Sequence, residues 1–301
     1  MVRGGSRTIP SMRIGIVARR ASMTNVCLAA SAPRGVHAFL VEPEDALREL
    51  GPGDLALGRL DVRPTLDGVE QGLECLERLA SRGVPVLNSS LALRLAHDKL
   101  ATSIALTATR LPHPRTHLVD RRAPATLPFP LVLKPRYGSW GRDVVRCDDA
   151  ETYEATLASF EGREWFRRAG AVAQELVPPR GHDIRVVVAA GEVVGAVRRV
   201  APAGEWRTNV ALGARREPVE PSPAACDLGI AAAEAIGAQL AGIDLLPLGP
   251  GRYVVIEVNG AVDFNPDYAP GRDVYAGAMR ALVRSAGTGA LLPDVAEAGS
   301  W

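Results

Sequence analysis

The sequence predicts an α/β protein in which an open N-terminal α/β sheet precedes a two-lobed α+β unit built on antiparallel sheets. Three observations carry that expectation. Short apolar runs alternate with helically spaced segments up to about residue 95. A hairpin with a glycine-rich tip follows a proline-rich linker at Pro124–Pro130. Beyond residue 171 the apolar runs come mostly in pairs joined by Gly or Pro turns, as antiparallel hairpins do.

Taken in order, Met12–Ala18 is a short apolar run and reads as the first strand. Val36–Val41 and Asp54–Leu60 read as further strands, and Val69–Ser81 is helically spaced at Val69, Leu73, Leu76 and Leu79. Val84–Leu87 is a short strand that runs into Asn88-Ser89-Ser90, an N-cap signal for the next helix. Asp98-Lys99-Leu100 lies in or between helices before Pro112. Leu131–Lys134 has the pattern of a buried strand, Tyr137–Asp143 forms the glycine-rich tip, and Val144–Cys147 returns. Ala150–Phe160 reads as a helix and Ala171–Val177 as a strand ending at Pro178-Pro179. Asp183–Ala190 and Glu192–Val200 pair through a turn at Gly191. A helix is expected at Ile230–Leu240, then strands at Gly242–Leu246 and Tyr253–Asn259. The expected organisation is a disordered start at 1–11, an N-terminal α/β domain at 12–95, a small lobe at 96–170, a C-terminal lobe at 171–290 and a tail at 291–301.

Composition removes several function classes. A net charge of +1 gives no electrostatic case for nucleic acid or an anionic membrane as partner. No apolar run approaches the roughly 18 residues of a membrane span. The basic first dozen residues lack the apolar core of a signal peptide. Cys27, Cys75, Cys147 and Cys226 form no C-x-x-C pair, which speaks against a zinc or disulfide framework and for a reducing, cytoplasmic setting. His113 and His117 sit among prolines rather than on a helix, which disfavours a metal pair. Gly15 stands without a G-x-G-x-x-G, so a dinucleotide oxidoreductase is excluded.

Of the 35 basic residues only Lys99 and Lys134 are lysines. A solvated surface lysine tolerates arginine, whereas a lysine that places a compact point charge in a tight site does not. Both are therefore candidate working residues. Glu257 and Asn259 are two apart and project from one face of a strand, and Asp244 lies on the neighbouring strand. Two carboxylates and an amide oxygen make an oxygen-only set suited to Mg²⁺, or else a polar outer sheet face. Gly138 and Gly141 bracket Ser139 and Trp140, a tip that lets backbone N–H groups approach a phosphate or that merely turns a hairpin. Gln174-Glu175-Leu176-Val177 ends a strand at which backbone groups would meet a purine. Asp183 and Arg185 share one strand face, and Arg207-Thr208-Asn209 follow a Gly-Glu-Trp turn.

In this order, the segments D-K-L, L-V-L-K-P with G-S-W-G-R-D-V, Q-E-L-V, D-I-R-V-V-V, E-W-R-T-N-V, G-I-D-L-L and I-E-V-N resemble an ATP-grasp ligase of the RimK-like branch. That branch includes glutamate ligases and LysX-type carrier ligases. The resemblance covers roughly Asp98 to Arg284 and implies an ATP-grasp fold preceded by a pre-ATP-grasp domain. It implies that Lys99 and Lys134 contact ATP phosphates and that the Gly138–Gly141 loop closes over ATP. Glu175 and Val177, flanked by Gln174 and Leu176, would meet adenine, and Asp183 would lie near the ribose. Arg207 and Asn209 would bind phosphates and the acyl-phosphate, with Arg207 and Lys134 as catalytic charges. Asp244, Glu257 and Asn259 would hold Mg²⁺, with Mn²⁺ as the alternative ion.

The implied reaction joins a carboxylate of a small molecule, peptide or carrier protein to the amine of glutamate or another amino acid through an acyl-phosphate. A homo-oligomer is common in the family. After Glu257-Val258-Asn259 the chain departs from the ribosomal-protein ligases, reading Gly260-Ala261-Val262-Asp263-Phe264-Asn265. The acceptor is expected to differ accordingly, with Asp263, Asp267 or Tyr268 near the substrate amine or simply packing. A non-catalytic ATP sensor and a phosphotransferase on the same fold are the competing readings.

Overall fold

The computed structural model describes residues 12–120 and 127–287. The expected disordered start, the C-terminal tail and part of the Pro124–Pro130 linker lie outside the described residues.

Three sheets organise the chain. The first comprises β1 (Met12–Val17), β2 (Val36–Val41), β3 (Leu55–Gly58) and β4 (Val86–Leu87), all parallel in the order β2-β1-β3-β4. Helices α1 (Met23–Ala30), α2 (Pro43–Glu49) and α3 (Leu73–Ser81) connect these strands. Ser22 caps α1 by accepting from the Asn25 N–H, as a serine before a helix should.

Helices α4 (Ser90–His97) and α5 (Lys99–Ala108) lead to the second sheet. Asp98 stands between them. It ends α4 and caps α5, its carboxylate accepting from the N–H groups of Leu100 and Ala101. Lys99 therefore opens a helix whose start is pinned. The second sheet is antiparallel and contains β5 (Thr116–Val119), β6 (Leu131–Pro135), β7 (Val145–Cys147) and β8 (Ala171–Glu175) in the order β5-β8-β6-β7. Between β7 and β8 run α6 (Ala150–Glu161) and α7 (Glu164–Ala169).

The third sheet has five antiparallel strands: β9 (His182–Ala189), β10 (Glu192–Val200), β11 (Arg215–Pro218), β12 (Leu240–Gly249) and β13 (Arg252–Asn259). Their order is β11-β10-β9-β12-β13. The helix expected at Ile230–Leu240 is instead α8 (Pro223–Ala235), and Leu240 begins β12. Ser222 caps α8 by accepting from Ala225, with Pro223 at its first turn. Gly237 at φ 69° follows its end, so the helix starts and stops earlier than the alanine run suggests. The chain ends its described part in α9 (Val274–Gly287).

The two faces of this third sheet carry different chemistry. Ile184, Val186, Val188, Ile243 and Leu245 pack against Ala225, Ala232 and Ala233 of α8. On the opposite face one half is apolar, with Val187, Ala189, Val197 and Leu240 packed together with α9 and with Ile14 and Ile16 of the first sheet. The other half of that face is charged. Register pairs Asp244 with both Glu257 and Arg185, Asp183 with Arg199, and Arg199 with Arg216. Because side chains alternate along a strand, all of these groups emerge on one side. The half-apolar, half-charged face is what positions the site.

Contact between α8 and this sheet is close at Gly229, where an added Cβ would lie 2.5 Å from Cγ2 of Val186. Alanine would gain about 1 kcal/mol of helix propensity but overpack a stiff β-branched neighbour at a cost of about 1–3 kcal/mol. Overpacking is expected to win, so Gly229→Ala should lower the melting temperature in a thermal unfolding scan. A higher melting temperature would mean that α8 shifts freely on the sheet.

Candidate active site

The second and third sheets face each other across a cleft. Lys134 is on β6, buried to 6% exposure, and donates to Oε1 of Gln174 on β8 at 2.7 Å. Burial and the neighbouring Lys99 charge pull its pKa down from 10.5 to about 8, against opposing help from Glu257 and Asp244. Lys99 donates to the Gly138 carbonyl at 2.7 Å and pairs with Glu257 at 2.9 Å. A single lysine thus bridges the glycine-rich tip and β13. Asp98 holds the same junction from behind, taking both Nε and Nη2 of Arg136 at 2.8 and 2.5 Å and the Tyr137 hydroxyl at 3.1 Å.

Asp244 is the most heavily engaged carboxylate, at 2% exposure. Arg185 grips both its oxygens, at 2.5 and 2.7 Å, and Arg199 reaches Oδ2 at 2.8 Å. Burial pushes its carboxyl up, and the two guanidiniums more than offset this, holding it near a pKa of about 2. Arg199 also pairs with Asp183, which accepts from the Thr208 hydroxyl at 2.6 Å. Arg207 is fixed by Glu205 through Nε at 3.0 Å and Nη2 at 2.7 Å. Those bonds hold the Glu205 carboxyl down at about 2. The same guanidinium reaches the Val144 carbonyl at 3.2 Å, tying the loop after β10 to the glycine-rich hairpin.

One cavity is lined by nearly every residue singled out from the sequence. Lys99, Lys134, Gly138, Ser139, Trp140 and Gly141 come from the small-lobe side. Gln174, Glu175, Leu176 and Val177 supply its strand-end wall, with apolar Val132, Leu246 and Ile256 added. Asp183, Arg207, Asn209, Asp244 and Glu257 complete it. Asn259 lies apart, lining an adjoining cavity that shares Glu257, and its Nδ2 donates to the Gly242 carbonyl at 3.3 Å. Trp140 and Gly141 adopt positive φ of 62° and 73°, and a Cβ on Gly141 would meet Asn209 at 2.9 Å. Glycine is therefore required at that close approach. The exposed Trp140 ring stacks under the Arg142 guanidinium at 4.9 Å.

The donors fit a hard divalent cation. Asp244 and Glu257 are cross-strand neighbours and Asn259 follows on the same face; in this structure Arg185 and Arg199 hold Asp244, and Lys99 holds Glu257. Among the described residues no group of three or more His, Cys, Asp or Glu gathers for a metal, so such an ion needs further oxygens from its ligand. Sequence reasoning missed Arg199 and Glu205. Arg199 was detectable, because it lies in phase with inward-facing Val197 on β10. Glu205 carries no such signal, since it acts from a loop.

Comparison with known proteins identifies the family. Residues 78–268 match the RimK-like ATP-grasp domain. A glutamate–LysW ligase, ArgX, of Sulfolobus acidocaldarius is 31% identical over 225 residues, covering 71% of this chain and 78% of the relative. A probable alpha-L-glutamate ligase of Thioalkalivibrio sulfidiphilus is 32% identical over 222 residues, covering 71% and 70%. Among solved structures, a RimK domain ATP-grasp protein from Sphaerobacter thermophilus superposes with a TM-score of 0.63 at 24% identity over 90% of this chain and 99% of that one. D-alanine–D-alanine ligase from Bacillus anthracis, complexed with ATP, gives 0.67 at 18% identity over 92% and 98%. The fold and site define an ATP-grasp ligase, an enzyme that forms C–N bonds. More narrowly, the chain belongs to the RimK-like ATP-grasp family of carboxylate–amine ligases, whose fold implies ATP binding and a divalent metal. Among the described residues no helix is long and apolar enough to cross a membrane.

The lowered pKa of Lys134 makes a stability prediction. Between about pH 8 and 10.5 the unfolded chain holds a proton on this lysine that the folded, ligand-free protein has given up. Unfolded chains then bind more protons, so this group's contribution to stability rises with pH across that window. Urea titrations at pH 8 and pH 10 should show a larger gain for wild type than for Lys134→Met. An equal change in both proteins would mean that Lys134 is not the titrating group.

Proposed function

We propose that this chain activates a carboxylate with Mg²⁺·ATP and joins it to the amine of glutamate or another amino acid. The carboxylate would belong to a small molecule, a peptide or a carrier protein. One observation supports the reading above all others: Lys99, Lys134 and Arg207 converge with Asp244 and Glu257 on a single cavity. Lys99 and Lys134 are the chain's only lysines.

In this reading Lys99 and Lys134 meet the phosphates. Backbone groups of Glu175 and Val177 meet adenine beside Gln174 and Leu176, with Val132 and Ile256 as apolar cover. Asp183 stands at the ribose end, where its grip on Thr208 and Arg199 holds the neighbouring loop. Asp244, Glu257 and Asn259 would hold Mg²⁺, or Mn²⁺ in its place, and the ion would neutralise phosphate charge. Glu257 would then exchange its partner, Lys99, for the metal. The substrate carboxylate attacks the γ-phosphorus, and the bond to ADP breaks. The amine nitrogen then attacks the acyl carbon, and phosphate leaves. Arg207 and Asn209 face the charge that develops, fixed in advance by Glu205 and the Gly141 contact. The Gly138–Gly141 tip with Trp140 would cover the acyl-phosphate and exclude water. The named activities of the relatives, glutamate–LysW ligase and alpha-L-glutamate ligase, support a glutamate-like amine.

ADP and phosphate release, followed with mass spectrometry across a matrix of amino acids and carboxylates including carrier proteins, tests this. Turnover should require both partners and give a product equal to their sum minus water. Arg207→Gln should lower kcat by roughly 10²–10³-fold, the cost of removing a preorganised donor. Release of a phosphorylated product with no free phosphate would contradict the ligase reading.

A further inference from the structure

Beside the nucleotide cavity lies a second one that shares Ser139, Trp140, Arg199, Asn209 and Glu257 with it. Its charges fall mostly by sign on two walls, Glu257 on β13 being the one carboxylate among the strand arginines. The strand wall carries Arg185 on β9, Arg199 on β10 and Arg216 on β11. The opposite rim, formed by the loops after β3 and β13, carries Asp61 and Asp263.

The two walls are not equally occupied. Arg185 and Arg199 are committed to Asp244 and Asp183. Arg216 makes no side-chain hydrogen bond or ion pair among the described residues. Tyr268 also lines this cavity at 2% exposure, close enough to Arg185 to feel its charge. Its phenol oxygen has no hydrogen-bond partner among the described residues. That oxygen is not sealed from solvent: it opens onto the cavity, where it still lacks a protein partner. An acidic ligand group between Arg216 and Tyr268 would supply it.

On the rim, Asp61 accepts from the Val62 N–H at 2.7 Å. Its one basic neighbour within ion-pair reach among the described residues is His97, at 4.0 Å. Burial holds the His97 pKa below its ordinary value, so the ring stays neutral near pH 7. Asp263 accepts from the Ser22 hydroxyl at 3.1 Å and lies 3.9 Å from Arg59. That guanidinium donates to Asn25 at 2.9 Å and to the Val262 carbonyl at 2.6 Å, while its buried Nη1 has no hydrogen-bond partner among the described residues. Both carboxylates keep free acceptor capacity toward a cation.

The rim is also rigid. Besides the Arg59 bond to Val262, Thr24 donates to the Phe264 carbonyl and accepts from the Phe264 N–H, both at 3.1 Å. The first sheet therefore holds the loop after β13 in place, and a ligand does not have to order it.

We propose that this second cavity holds the amine substrate with its ammonium group against Asp61 and Asp263 and its acidic part toward Arg216 and Tyr268. The inference rests on the ligase reading and deepens it. It orients the acceptor and makes the loop after β3, outside the strands that bind nucleotide, a determinant of specificity.

Isothermal titration in the presence of Mg²⁺ and a non-hydrolysable ATP analogue tests this. The probes are L-glutamate against glutarate and L-2-aminoadipate against adipate, pairs that differ only in the amine. In at least one pair the amino acid should bind about tenfold or more tightly than its deaminated partner, as a charge-assisted contact implies. Asp61→Asn should remove that preference and leave the deaminated acid within about twofold. Asp263→Asn should narrow it in the same direction, in protein whose thermal unfolding shows that it still folds, since Asp263 is the ion-pair partner of buried Arg59. Equal binding of both members of each pair, including no binding by either, would overturn the proposal, as would a preference that survives both variants. Failure of the ATP analogue itself to bind would overturn the ligase reading beneath it.

Discussion

The salt-bridged quartet of Asp183, Arg185, Arg199 and Asp244 is the interaction on which the rest of the site depends. Four charges sit on neighbouring strands in the middle of the five-stranded sheet, two of each sign. Isolated, each would be expensive to bury. Together they are neutral, with bidentate geometry at both Asp183 and Asp244. Such a cluster is a weak source of net stability, yet removing one member leaves an uncompensated buried charge, typically costing about 3–5 kcal/mol. The quartet therefore fixes which strand faces which side of the cleft. It also keeps Asp244 ionised.

Around this centre the fold brings three chain regions to one place. Asp98 sets the start of α5 and so the position of Lys99. Asn88 joins the first sheet to the third, donating to the carbonyls of Leu240 and Gly260 at 2.7 and 2.9 Å and accepting from the N–H groups of Gln239 and Leu240. Glu205 aims Arg207. Each of these is a side chain acting on a backbone segment or on another side chain, and each limits how far a reacting group can wander. Positioning of this kind suits phosphoryl transfer, where the protein contributes chiefly geometry and charge.

Much of this was legible in the sequence, and the legible part has a physical pattern. Buried strands such as Leu131–Lys134 and Tyr253–Asn259 advertise themselves by apolar runs. A carboxylate inside such a run, as at Asp244, calls for a partner. Two lysines among so many arginines mark positions where a point charge is needed. Other elements were silent. The strand at Arg215–Pro218 is polar and exposed, so it shows no alternation, yet it brings Arg216 to the second cavity. Helix α9 does carry an apolar stripe at Val274, Tyr275, Ala278, Met279 and Leu282, which its spacing alone would have revealed. The partnership of Arg185 and Arg199 with Asp244 depends on strand register, which a single sequence does not specify. The pairing of Lys99 with Glu257 spans 158 positions of chain and follows only from the fold.

The central claim is that the cavity converts a carboxylate to an acyl-phosphate. The most direct measurement uses a carboxylate substrate labelled with ¹⁸O in both oxygens, with Mg²⁺·ATP and an amine that supports turnover, and mass analysis of the phosphate released. The account predicts one labelled oxygen in each phosphate, because the carboxylate oxygen that attacks phosphorus leaves with it. Unlabelled phosphate accompanying amide product would contradict the account, since the carboxylate would then have been activated by some other route.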